Sequence, residues 1–290
     1  MRIGRTMKSV MSAKRMSSER RSCFFSGVDT CSVFGDSLMR YFVQGLYAGT
    51  SLDARKVEFV SVLIRLFVHL ELANQETNEL ITLYKCCIII GMNFLIVGLG
   101  NPGEEYEKTR HNIGRMAVES FADSLDIVEW KPDSAARSLV GQGVCGSAKV
   151  ICALPETFMN KSGLAVAYLA KAKRAKLENI IVVHDDMDMP AGKIKLSFDR
   201  GSGGHRGIES IIKALKTREF VRVRVGVSPT TPSGKLRKPV GEDKVVRFLL
   251  TKMRDADMAV YKKVFKKTNE ALASIVEEGR EKAMNVFNSN

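Results

Sequence analysis

The fold class is decided by residues 94–114, FLIVGLGNPGEEYEKTRHNIG, in which a short apolar run passes directly into a glycine-rich loop. The four apolar residues 94–97 predict a buried strand. Further along the chain, apolar periods typical of strands and of helices alternate. We predict helices over 115–125, 163–176, 207–216, 240–250 and 256–278, and strands over 149–154, 179–183, 193–198 and 220–227. This order predicts an α/β domain.

The chain changes character at Met92. Before it, apolar residues follow no clear period, apart from a helix predicted over 53–72. The 290 residues carry a formal charge of +13, with 12 Lys and Arg against 8 Asp and Glu before Met92 and 33 against 24 from Met92 onward. Most of the positive charge therefore lies in the patterned part and indicates an anionic partner, although charge alone also fits a lysine-rich soluble protein.

The six cysteines favour a reducing compartment. Cys86 and Cys87 are adjacent, which is poor disulfide geometry, and no pair of cysteines has metal-ligand spacing. We therefore expect a cytoplasmic protein without a metal. No apolar run reaches the roughly 18 residues that span a membrane, so no membrane contact is expected. The first 22 residues lack the apolar core of a secretory signal, and their basic, serine-rich composition loosely resembles an organellar transit peptide.

A dinucleotide fingerprint, G-x-G-x-x-G, is present at Gly98, Gly100 and Gly103. In a dinucleotide-binding fold, this loop opens directly into a helix whose N-terminus meets the pyrophosphate. Here the next four residues contain three glutamates, which would repel a diphosphate. The acidic residue nearest to the expected ribose position, Glu119, falls inside a predicted helix. The sequence therefore argues against a dinucleotide cofactor.

Polar side chains follow three of the predicted strands. Asn101 follows the first strand, Asn160 the second and Asp185 the third, while His111 lies on the first loop. Ligands of open α/β sheets bind where the carboxyl ends of strands meet. A neutral imidazole can take a proton from water, a carboxylate can orient it, and amides can hold an ester and its oxyanion. Read singly, a histidine is more often structural and an asparagine a turn former; their shared placement indicates an active site.

Four motifs in order carry a resemblance to a known family. They are residues 94–114, PETFMNKSG at 155–163, VVHDDMDMPAGKIKL at 182–196 and GSGGHRGIESII at 201–212. They closely resemble the signatures of bacterial-type peptidyl-tRNA hydrolases, over about residues 92–290. The resemblance implies a single α/β domain with a twisted mixed β-sheet flanked by helices, no cofactor and no metal. It also implies hydrolysis of the ester between peptide and tRNA, and we expect a cytoplasmic monomer acting on peptidyl-tRNA in ribosome rescue.

The resemblance also implies roles for individual residues. His111 matches the family's general base, Asp185 the carboxylate that orients it, and Asn160 the amide that holds substrate or water. Asn101 matches the residue that favours N-blocked substrates. The remaining matches are to residues that line the site near the tRNA end, Tyr106 and Phe158, and to a phosphate contact, Arg224, with Lys193, Lys195 and Arg222 nearby.

One position departs from the family pattern. Arg206 stands where the family commonly has an asparagine that contacts the acceptor end. An arginine cannot act as a hydrogen-bond acceptor, but it can bind a phosphate or a carboxylate. We therefore expect substrate binding to depend less on this position, without loss of activity.

Residues 1–91 have no counterpart in the resemblance. This N-terminal extension is expected to be disordered or a mis-assigned start, with a targeting segment or an accessory region as alternatives. For the function, the alternative is a non-catalytic RNA-binding member of the same family, of the kind that serves in RNA splicing. The four intact positions His111, Asp185, Asn160 and Asn101 disfavour that alternative.

Overall fold

The computed structural model describes residues 92–289. The extension 1–91 and the helix predicted over 53–72 lie outside these residues. Within the described part, no helix combines the length and the apolar composition that crossing a membrane requires.

The centre of the domain is a seven-stranded sheet with the order β2-β3-β4-β1-β5-β7-β6. The four central strands, β4, β1, β5 and β7, are parallel to one another. The outer strands β2, β3 and β6 pair antiparallel with their neighbours. This mixed sheet confirms the predicted fold class. The strands are β1 Asn93–Gly98, β2 Lys131–Asp133, β3 Ser138–Cys145, β4 Ala148–Pro155, β5 Ile180–Pro190, β6 Ile194–Phe198 and β7 Val221–Ser228.

Helices cover both faces of the sheet, because the parallel strands are apolar on both sides. One face packs against α1, α5 and α6, with core residues such as Phe121 and Leu272, while the other packs against α2 and α3 through Leu169 and Ile211. The helices are α1 Ile113–Ser124, α2 Ser162–Ala172, α3 Arg206–Leu215, α4 Glu242–Leu250, α5 Asp255–Glu278 and α6 Arg280–Asn288.

The glycines of the fingerprint serve close packing of the chain. A side chain at Gly98 would meet the carbonyl oxygen of Gly114 at 2.7 Å, and one at Gly114 would collide with the carbonyl oxygen of Val183. Residues 104–108 form turns, and α1 begins only at Ile113. The loop therefore does not open into a helix as a dinucleotide site requires, which agrees with the sequence prediction.

Several predicted elements need correction. The third predicted strand is longer than expected, because β5 continues through His184-Asp185-Asp186 to Pro190 while paired with β7. The helix predicted over 163–176 ends at Ala172, and the hairpin of β2 and β3 was not predicted. Arginines alternate with valines in the strand predicted over 220–227, which is typical of a half-buried strand, yet the strand is almost wholly buried and even Arg222 is covered.

The topology brings the loops after β1 and β4 to one edge of the sheet. Strand β1 lies between β4 and β5, and its pairing with β5 ends at Gly98 opposite Val183. Asp185 therefore emerges on β5 just beyond the end of β1. The chain that leaves β1 returns to the sheet on the β4 side, whereas the chain that leaves β5 returns on the β7 side. This edge, between β1 and β5, is therefore the switch point where ligands bind in open α/β sheets.

Candidate active site

His111 and Asp185 form a hydrogen-bonded pair at this edge. His111 lies in a single 3₁₀ turn, Arg110–Asn112, before α1, and its Nδ1 is 3.0 Å from Oδ1 of Asp185. The carboxylate is buried, while the His111 side chain is 13% exposed. Because Nδ1 faces the carboxylate, Nε2 is the nitrogen left to take a proton from water. The structure thus brings together the two residues predicted as base and orienting acid.

The electrostatics of the pair suit a base. Burial alone lowers the pKa of His111, but the charge of Asp185 and its hydrogen bond outweigh burial, so the pKa is raised; the nearby Arg206 opposes this rise. Burial raises the pKa of Asp185, yet its electrostatic contacts and hydrogen bonds with His111 and His205 hold it well below its usual range. Asp185 is therefore ionised and can stabilise the imidazolium that forms when His111 takes a proton.

A second imidazole, that of His205, shares the same carboxylate oxygen. Its Nε2 lies 2.9 Å from Oδ1 of Asp185, and its Nδ1 accepts hydrogen bonds from the backbone N–H groups of Gly207 and Ile208. Because Nδ1 accepts these hydrogen bonds, it carries no proton, and the ring proton is on Nε2. His205 therefore donates from Nε2 to Asp185. His205 caps α3 and holds the carboxylate in the same contact. The sequence prediction gave this residue no role, although it lies inside the motif at 201–212.

His184 completes a row of three histidines. Its ring lies edge-on to that of His205, with centroids 4.7 Å apart, and its Nδ1 is 2.7 Å from the backbone oxygen of Asp185. Burial and the neighbouring His205 lower its pKa well below the usual value. His184 is therefore a neutral donor to the backbone of Asp185, which helps to fix the catalytic strand segment.

His111, Asp185 and His205 are also the one set of side chains, within residues 92–289, that is close enough to hold a metal ion. Their ligand atoms lie within 4.8 Å of one another. A cation there would have to replace the proton on His205 Nε2, whose position is fixed by the helix cap at Nδ1. The hydrogen bonding fits a carboxylate between two imidazoles better than it fits a metal site.

Asn101 connects the first loop to the loop after β4. Its Oδ1 accepts a hydrogen bond of 2.8 Å from the backbone N–H of Met159. Its own backbone exchanges two bonds of 2.9 Å with the side chain of Asn112, which follows His111. Asn101 is buried, so its oxygen shapes the site and its Nδ2 is the atom left for substrate. Asn112 is a further residue that the sequence prediction missed.

The other residues predicted to line the site lie on two loops, the half-buried Tyr106 after β1 and the exposed Phe158 and Asn160 after β4. Asn160 follows Met159 and has no hydrogen-bond partner among the described residues, so its amide is open to a ligand. Tyr106 and Phe158 face each other edge-on with ring centroids 6.5 Å apart, and Phe158 is 57% exposed. The two rings thus form an aromatic pair between the loop after β1 and the loop after β4.

Arg206 begins α3 directly after His205 and forms an exposed ion pair with Glu242, the first residue of α4. A cation at a helix N-terminus is unfavourable, and the carboxylate of Glu242 compensates for it. The positive charge of Arg206 lowers the pKa of His111 and so opposes the effect of Asp185. The residue that departs from the family pattern therefore lies at the site, held by a partner from another helix.

Arg224 lines a basic cavity of about 410 Å³ next to the histidine row. Its Nε is 2.6 Å from Oδ2 of Asp186. Three buried polar atoms that lack a partner belong to residues lining this cavity: His184 Nε2, Ser197 Oγ and Arg222 Nε. Buried polar groups rarely stay unpaired, so a polar ligand or water is expected here. The other cations of the cavity are Lys195 and Arg200.

Known proteins are similar to this chain over the residues that form the site. The sequence profile described as Peptidyl-tRNA hydrolase matches residues 95–290. The peptidyl-tRNA hydrolase of Syntrophotalea carbinolica is 35% identical over 195 residues, which cover 67% of this chain and 96% of that protein. The peptidyl-tRNA hydrolase of Aquifex aeolicus is 39% identical over 194 residues, with 67% and 95% covered.

A solved structure agrees with these relatives. The crystal structure of peptidyl-tRNA hydrolase from Acinetobacter baumannii superposes with a TM-score of 0.61 at 32% identity. The match covers 69% of this chain and 96% of that one. The similarity therefore extends over nearly the whole of the compared protein.

Proposed function

The chain belongs to the peptidyl-tRNA hydrolase family, and on that premise we propose that it hydrolyses the ester between peptide and tRNA by direct attack of water, with His111 as general base. The observation that carries this mechanism is the 3.0 Å contact between His111 Nδ1 and the buried, ionised Asp185. The contact directs Nε2 outward and stabilises the imidazolium. Proton removal from water would then need no covalent intermediate.

The ester is proposed to lie between the histidine pair and the loop after β4. The exposed amide of Asn160 and the Nδ2 of Asn101 are the donors on that side of the site. Such amides can hold an ester carbonyl and the negative charge that develops on it. Because Asn101 Oδ1 is engaged with Met159, an amide oxygen at residue 101 also keeps this loop in place.

The RNA is proposed to contact the basic side of the site. Arg224 and the cations of its cavity would receive a phosphate, and Arg206 would exchange Glu242 for an anionic group of the acceptor end. Phosphate contacts supply salt-dependent affinity that carries no sequence information. The partner is therefore peptidyl-tRNA, with the aromatic pair of Tyr106 and Phe158 near its end. We further propose a cytoplasmic monomer that acts in ribosome rescue without a metal or a membrane.

The alternative, a non-catalytic RNA-binding member, is not favoured. Such a protein needs a basic surface but has no need of an oriented base. The retained contacts of His111, Asp185 and His205 support catalysis, and the relatives quoted above carry the hydrolase name.

The test of the function uses a matched pair of substrates, an N-acetylated aminoacyl-tRNA and its unblocked form. We expect release of the acetylated amino acid at a rate that rises with enzyme concentration, with the unblocked ester cleaved at least tenfold more slowly. Absence of turnover on the blocked form, together with tight binding of deacylated tRNA, would instead support the RNA-binding alternative.

The activity is expected to fall on acidification. His111 must be neutral to act as a base, and its pKa is raised above the ordinary 6.5, chiefly by Asp185 working against burial. The acid limb of kcat/KM should therefore lie above pH 6.5, and activity should be lost as the pH falls through it. Initial rates measured at several pH values with subsaturating substrate give this limb; a limb near pH 4 would point to a carboxylate as the base.

A further inference from the structure

We infer that Arg110 is a positioning residue that keeps His111 in contact with Asp185. It does so by binding the α4–α5 junction, which is the end of α4, residues 251–254 and the first turn of α5. This inference rests on the proposed role of His111 as the base. It adds a residue that the resemblance does not assign and a part of the fold that lies outside the histidine row.

The turn that carries His111 cannot fix its own orientation. It is a single 3₁₀ turn of three residues, and no side chain caps its N-terminus. Short 3₁₀ segments have poor hydrogen-bond geometry and depend on their surroundings. Asn112 ties one end of the turn to Asn101. The other end begins with Arg110, so its contacts decide whether the turn is held on both sides.

The Arg110 guanidinium meets the α4–α5 junction at three points. Its central carbon lies 4.6 Å from the ring centroid of Phe248, near the end of α4. Its Nη1 is 3.5 Å from the backbone oxygen of Thr251, and its Nη2 is 3.4 Å from Oδ2 of Asp257. Both hydrogen bonds are long and therefore weak. The cation–π contact with Phe248 lies well within the usual distance for such contacts, so it is the strongest of the three. Together they fix both the position and the plane of the guanidinium.

The main chain reinforces the same connection. Met253 donates its backbone N–H to the oxygen of Lys108 at 2.8 Å, and Thr109 pairs with Lys252 in an isolated antiparallel bridge. Thr109 is fully buried. The two residues before Arg110 are therefore bound to the junction, and Arg110 extends this contact to the residue adjacent to His111.

The α4–α5 junction is itself held in place by hydrogen bonds. Asp257 accepts the backbone N–H of Arg254 at 3.2 Å and so caps α5, the longest helix of the described residues. The same carboxylate oxygen receives Arg110. A small displacement of the turn would lengthen the bond between His111 and Asp185, and misplacement of a reacting group by about 1 Å can cost 100-fold in rate.

The experiment compares Arg110→Met with the wild-type full-length chain on N-acetylated aminoacyl-tRNA. Methionine keeps the apolar stem but removes the guanidinium. We expect kcat to fall at least tenfold while KM and the affinity for deacylated tRNA stay within twofold, because the substrate surface is untouched. Arg110→Lys keeps a cation near Phe248 and Asp257, so we expect it to stay within threefold of the wild-type kcat.

Arg254→Met is the matched control. Arg254 also pairs with Asp257, at 3.6 Å, but it is 85% exposed and does not adjoin His111. Its kcat is expected to stay within twofold. An Arg110→Met protein with wild-type kcat, or an equal loss in Arg254→Met, would overturn the inference, as would a fall in Tm without a fall in kcat. If Arg110→Met does not fold, Phe248→Leu replaces it, and an unchanged kcat there overturns the inference too.

The two hypotheses fail separately. Wild-type protein that does not cleave the blocked substrate refutes the proposed function before any variant is compared. Wild-type protein that cleaves it, with Arg110→Met equally fast, refutes only the positioning role.

Discussion

His111→Ala should lose about 1,000-fold in kcat/KM on N-acetylated aminoacyl-tRNA, within the 100- to 10,000-fold that general base catalysis contributes. The substitution removes the nitrogen that takes the proton from water, and no other group replaces it, since His205 already uses both ring nitrogens. The measurement is single-turnover hydrolysis at a pH above the acid limb of the wild-type profile, where the base is neutral.

Binding separates this effect from damage to the fold. The affinity of His111→Ala for deacylated tRNA should stay within about twofold, because the cavity around Arg224 is not altered. The Tm should fall, because the buried Asp185 loses one of its two imidazole partners, but the variant should still bind tRNA. Turnover retained within tenfold of wild type would remove His111 from its role as the base.

Asp185→Asn should lower kcat by at least 100-fold, which is about 2.7 kcal/mol of transition-state stabilisation. The buried carboxylate holds the pKa of His111 up and receives the protons of two imidazoles through one oxygen. A neutral amide cannot stabilise the imidazolium, and its N–H₂ group can turn toward His111 and favour the wrong tautomer.

A pH profile and a charge-matched variant check this result. The acid limb of the residual activity should move to lower pH, since the charge that raises the His111 pKa is gone. Asp199→Asn makes the same change at an exposed residue that pairs with Arg218, and it should leave kcat within twofold. An Asp185→Asn enzyme with kcat within fivefold of wild type would exclude the orienting role.

Sequence patterns could predict those residues of the site whose position depends on where a strand ends. The apolar run of β1 and the acids that follow Val183 were enough to place His111 and Asp185 at one edge, because parallel strands present their carboxyl ends together. In the structure the two side chains lie within 3.0 Å of each other at that edge.

The rest depended on packing that no local pattern encodes. His205 could not be assigned, because its role follows from the direction of two ring nitrogens, one toward α3 and one toward Asp185. Alternation of arginines and valines in β7 is typical of a half-buried strand, but Arg222 is buried and donates to the backbone oxygen of Gly201 in the loop before α3. The hairpin of β2 and β3 was missed because Gly141 and Gly143 interrupt the pattern; a side chain at either would strike Ile127.

The shared carboxylate of Asp185 has a consequence for how the protein is made. The two hydrogen bonds to its oxygen join residues 74 and 20 positions apart, and Asn101 reaches Met159 across 58. Contacts of such separation form late, since loop closure must precede them. A chain emerging from the ribosome therefore has no assembled base until β5 and the start of α3 have been synthesised and docked.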